Sequence, residues 1–187
     1  DLLCDLEVWH EAPGELLRSH LEHLYELAAE SNEKRNNTWI MRDLQLVEKL
    51  LHITPEVRHL ATRQVLFSLM SILLGGQPRQ PDLLLFGQFV AATLPASSTI
   101  NEKTVILKDG DIDKEFEGEN ILLRNRCLGL IHSMLFAPRS IVGEEIARTL
   151  GFDWILLFMQ PHLHSTTVVW ALRILVAMCS SQSLMTK

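Results

Sequence analysis

Apolar residues recur along this chain with a period near 3.6 rather than 2, and Gly and Pro interrupt them at helix-length intervals. The spacing predicts helices throughout. A first helix is expected from about Leu2 to Trp9. Pro13-Gly14-Glu15 suits the first turn of a second, which carries Leu17, Leu21, Leu24 and Ala28. After a polar connection from Ser31 to Asn37, the stripe Ile40, Leu44, Val47 and Leu51 predicts a third. Asn36-Asn37-Thr38 fits a glycosylation sequon, but Asn or Thr there also caps a helix, and capping is the preferred reading. Thr54-Pro55-Glu56 supplies an N-cap, a first-turn proline and an early acid for a long helix ending at Gly75-Gly76.

Pro81-Asp82 opens a further helix through Phe86 and Val90 to about Leu94. Beyond Pro95 the periodicity fails, and a long acidic loop, read as mobile, is expected at about 96–119. The stripe returns at Leu123, Cys127, Leu130 and Met134 and stops before Pro138. Ser140 with Glu144 and Glu145 opens a short helix ending at Gly151, and Phe152 to Met159 forms the next. The helix at Ser165 to Cys179 is apolar nearly all round, with Val168, Leu172, Leu175 and Cys179 on one stripe, and is expected to be covered on several sides.

Helices joined by short Pro- or Gly-marked links, about 40 residues per pair, predict an all-α armadillo- or HEAT-like repeat solenoid over 1–187, a compact helical bundle being the alternative. The chain reads as a fragment of a larger protein.

Composition narrows the function. The 187 residues are 47% hydrophobic and 21% charged, which is globular. The net charge is −6 and no Lys/Arg cluster could neutralise a run of phosphates, which argues against nucleic acid. Apolar runs such as Val65 to Leu74 fall well short of the roughly 20 residues a bilayer span needs. Cys4, Cys127 and Cys179 are scattered in apolar helical contexts, the usage expected of buried thiols in the cytoplasm.

Candidate chemistry is sparse. There is no GxGxxG or GxxxxGK loop, and no nucleophile with a placeable base, so no catalytic residue and no cofactor is assigned. His20 with His23, or His162 with His164, are the best metal pairs, but neither has a Cys or carboxylate at ligand spacing, and solvated or capping histidines is the preferred reading. Asp109, Asp111 and Asp113 start like an EF-hand loop, yet Lys114 stands where Gly is needed and Asn120 where Glu is needed. No metal site is assigned. The same stretch, Asp109, Asp111, Asp113, Glu115, Phe116 and Glu117, is a candidate linear motif for a basic protein groove, against a plain solvated loop. Two aromatic-x-x-aliphatic cores, Phe152 to Ile155 and Trp154 to Leu157, lie in a helical apolar segment and are expected to be buried.

Several stretches resemble a known family. They are Ile-Leu-Leu-Arg-Asn-Arg at Ile121 to Arg126, the long run Leu150 to Val176, Asp5-Leu-Glu-Val-Trp9, Ala12-Pro13-Gly14 and Phe86-Gly-Gln-Phe89. In these the chain resembles the armadillo-like region upstream of the PH and BEACH modules in the ALFY branch, BEACH proteins with WD repeats and a FYVE domain. In side-chain detail it is more similar to the immune-cell paralogue than to ALFY itself. The resemblance implies a very large cytoplasmic scaffold in autophagy, endosomal and vesicle trafficking. The Cys pairs of a FYVE domain, a WD-repeat signature and a BEACH core are absent from this sequence. Membrane and receptor binding are therefore expected of other modules. This segment is expected to be non-catalytic and to dock protein partners or other domains of the same chain. The alternatives are a purely structural spacer and a metal-dependent enzyme using His162, His164 or the acidic run.

Overall fold

The computed structural model describes residues 2–6, 9, 14–107, 118–137 and 140–180, and among them it is all-α with no strand. Contacts divide the described helices into two units, each with its own core.

The first unit holds α1 (Gly14–Ala29), α2 (Lys34–Asp43), α3 (Leu46–Ile53) and α4 (Leu60–Leu74), preceded by a 3-10 turn at Leu2–Cys4. Its main pairing is α1 along α4. The predicted stripe of α1 faces inward, with Leu17, Leu21, Leu24 and Ala28 buried, and on α4 Leu66, Leu69, Met70 and Leu73 are buried likewise. Burying one such side chain contributes about 1.5–3 kcal/mol, which fixes which face of each helix turns in.

Three sequence expectations are corrected here. The stripe from Ile40 to Leu51 is not one helix. The chain breaks at Leu44-Gln45, where Gln45 takes the left-handed conformation (φ 58°) and donates its N–H back to the Arg42 carbonyl. Only Met41 of α2 is buried, Ile40 is 40% exposed, and the apolar load falls on α3. Nor does a cap at Asn36-Asn37-Thr38 begin α2, which starts at Lys34. Asn37 instead reaches back to donate to the Leu27 carbonyl (2.9 Å), and the Thr38 hydroxyl to that of Lys34. Thr54 ends α3 rather than starting α4. Its hydroxyl donates to the Leu50 carbonyl at 2.6 Å, and α4 waits until Leu60.

The second unit holds α5 (Gln80–Ala92), α6 (Glu119–Leu135), α7 (Val142–Thr149), α8 (Phe152–Leu156) and α9 (Ser165–Cys179). Short 3-10 segments lie at Glu102–Thr104 and Leu157–Met159. The dominant pairing is α6 with α9. α7 closes as its spacing predicts, with the Ser140 hydroxyl accepting from the Val142 N–H and Gly151 taking φ 78° after the last turn. That turn brings α7 close to α5, since a Cβ on Gly87 would stand 2.5 Å from Leu150 Cδ2. In the space so defined, the Trp154 indole N–H donates to the Gly87 carbonyl at 3.0 Å.

Coverage of α9 differs from expectation. Its buried stripe is Thr167, Ala171, Ile174 and Met178, while Leu172 is 48% and Val176 56% exposed. Ala171 and Thr167 are short enough to sit fully buried in the α6–α9 region. A helix apolar on every side gives its spacing no means of naming the inward face.

Candidate functional site

Two features of the second unit stand apart from ordinary core. The first is a groove of ≈ 350 Å³ where the C-terminal ends of α6 and α9 meet, lined by His132, Phe136, Leu172, Arg173, Val176, Ala177 and Ser180. Phe136, 67% exposed, stands just past the end of α6, and Leu172 and Val176 lie one turn apart on α9. On its His132 side the rings pack together: His132 stacks tilted on Phe136 (4.9 Å between centroids) and edge-on to Trp170 (5.6 Å). The Arg173 guanidinium lies 4.9 Å over the Trp170 ring. Aromatic residues and Arg in a contiguous exposed apolar patch are the composition of protein docking surfaces. Among the described residues, no carboxylate lines it.

The second feature is a buried ionic node. Arg124 of α6 is fully buried and donates to the Thr93 carbonyl at the end of α5 (2.7 Å), to the Thr167 hydroxyl of α9 (3.2 Å) and to the Glu102 carboxylate. The Thr167 hydroxyl in turn donates to the Asn125 side-chain oxygen, and the Asn125 amide donates to Thr166. Glu102 also accepts from the His164 N–H (3.2 Å). Burial weakens the guanidinium's hold on its proton, and Glu102, close by and hydrogen-bonded, offsets part of that. A smaller recess of ≈ 300 Å³ in the first unit is lined by Leu6, Gln45, Glu48, Lys49, His52 and Ile53.

The sequence-derived candidates do not come together. Asp109, Asp111, Asp113, Glu115, Phe116 and Glu117 lie outside the described residues. His20 and His23 part company, His20 turning inward against Leu3 and Trp9 while His23 is exposed. His164 is the N-cap of α9, its ring nitrogen accepting from the Thr166 N–H. Among the described residues, no three His, Cys, Asp or Glu side chains gather closely enough to hold a metal ion, and no helix is long and apolar enough to cross a membrane. Trp154 and Ile155 are buried within α8, whereas Phe152 and Leu157 are each about two-fifths exposed. Burial pushes the thiols of Cys4 and Cys127 up, away from the reactive thiolate.

Sequence reasoning missed both features. The groove left one signal, an α9 with more apolar surface than one neighbour could cover, and the node left none.

No family model matches the chain, and no solved structure matches it. Among curated proteins, WD repeat- and FYVE domain-containing protein 4 of Homo sapiens is 32% identical over 197 residues, an alignment covering 100% of this chain. The chain is similar throughout to one region of that protein. The Mus musculus protein of the same name is 32% identical over 194 residues, covering 98% of the chain. The chain spans 6% of the length of either relative. The resemblance to the ALFY branch thus stands at the level of a region, and neither relative's name indicates an enzyme activity.

Proposed function

We propose that this chain is a non-catalytic, armadillo-like scaffold segment of a large BEACH-type trafficking protein, and that it docks a neighbouring module of the same polypeptide on the α6–α9 groove. The observation that carries the reading is the exposed Phe136, Leu172 and Val176 face beside the Trp170–Arg173 stack. Leaving such side chains in water forgoes roughly 1.5–3 kcal/mol each, which a docked helix would recover. An intramolecular partner is favoured because a region amounting to 6% of its relatives' length has the remainder tethered nearby at high effective concentration. The acidic stretch Asp109 to Glu117 serves as a second docking element toward a basic surface. The setting is cytoplasmic, at endosomal or autophagic membranes reached through other modules.

The test is calorimetric titration of the purified chain against the modules flanking the matching region, beside a Leu172→Glu/Val176→Glu variant. Heat of binding that the variant loses supports the reading. Absence of heat with every module, or equal heat from both proteins, returns the chain to a structural spacer.

A further inference from the structure

We propose that Arg124 and the N-terminal end of α9 form a carboxylate receptor whose resident ligand is Glu102, which makes residues 96–107, after α5, a strap seated on the helices through that side chain. Along residues 96–107, Ala96 to Asn101, Lys103, Thr104 and Ile106 are exposed, Val105 and Leu107 are half-buried, and Glu102 alone is buried. Among the described residues, the strap's other bonds are internal, such as Lys103 N–H to the Asn101 side chain and Ile100 N–H to the Ser97 carbonyl. Among the described residues, its hydrogen bonds outside the strap converge on Glu102. The carboxylate accepts from the Arg124 guanidinium and the His164 N–H, and the Glu102 backbone N–H donates to the His162 carbonyl at 2.9 Å.

The receptor does not need the strap for its shape. Arg124 is aimed by the Thr93 carbonyl and by Thr167, and Thr167 is fixed by Asn125, so the guanidinium keeps its place when Glu102 leaves. A fully buried cation left without a counter-ion is strongly unfavourable, so the site retains an affinity for any carboxylate of the right size. The Glu102–Arg124 pair therefore seats the strap on the helices.

Two measurements test this. Glu102→Ala empties the receptor, and sodium formate is the probe. The variant should melt below the wild type, and formate should restore its melting temperature saturably where sodium chloride at equal ionic strength does not. In Glu102→Gln, which keeps the shape and weakens the charged bonds, hydrogen exchange of strap amides such as Val105 should quicken about tenfold or more while α6 and α9 keep wild-type protection. The inference is overturned if formate acts no better than chloride, if strap exchange is unchanged because apolar contacts hold it, or if exchange quickens equally across α5 to α9. Should Glu102→Ala fail to fold even in formate, the receptor is refuted as a separable site.

Discussion

His20 stacks on Trp9 with rings 4.2 Å apart and nearly parallel, and its Nε2 lies 2.7 Å from the Leu3 carbonyl, so that nitrogen carries the proton. Burial lowers the ring's pKa below its ordinary 6.5, the bond to Leu3 opposes the shift, and His23 adds to it. A base whose folded pKa is depressed binds fewer protons folded than unfolded. Its contribution to stability is thus complete above about pH 6.5 and lost as pH falls below that value. Urea unfolding between pH 7.5 and 5 should show a larger loss for the wild type than for His20→Gln, and parallel curves would refute it. Gln45 is a different local matter, a side chain held at φ 58°. Gln45→Gly should raise stability by about 1 kcal/mol in chemical denaturation by relieving the left-handed strain. A loss would mean that the Gln45 side chain, which lines the recess of the first unit, stabilises more than its backbone costs. Neither feature was legible from neighbours in sequence: His20 read as a solvated or capping histidine, and Gln45 as the interior of one long helix.

At the scale of elements, periodicity and punctuation did most of the work. α5, α6 and α7 lie where Pro81, Pro138, Ser140 and Gly151 place them, and α9 spans Ser165 to Cys179 as its apolar run predicts. The errors fall where one signal serves two structures. Thr54-Pro55 caps an incoming helix or ends an outgoing one with equal chemistry, and the buried Thr54 hydroxyl bonded to Leu50 decides for the ending. α9 has two apolar faces of unlike standing, and substitution separates them. Ala171→Leu should destabilise by about 1–3 kcal/mol through overpacking against its neighbours. The adjacent Leu172→Glu should stay within about 0.5 kcal/mol. Thermal melts of the two variants check this, and equal effects would contradict the observed faces.

At the scale of the whole molecule, the described helices gather into two units, α1 to α4 and α5 to α9, each organised about one principal helix pair. The groove and the ionic node both belong to the α6–α9 pair, whose helices are separated in sequence by α7 and α8. By itself the sequence determined the all-α class, most helix positions, the absence of a recognisable catalytic motif and the family resemblance. These rest on spacing, punctuation and local residue identity, which act over a turn or two of helix. The tertiary structure alone decided which face of α9 stays open, that Glu102 seats on Arg124, and that Thr167 and Trp154 find Arg124 and Gly87. Those pairings lie 22, 43 and 67 residues apart along the chain. No local pattern encodes such partners, because burial and charge compensation are settled only when distant helices close on one another.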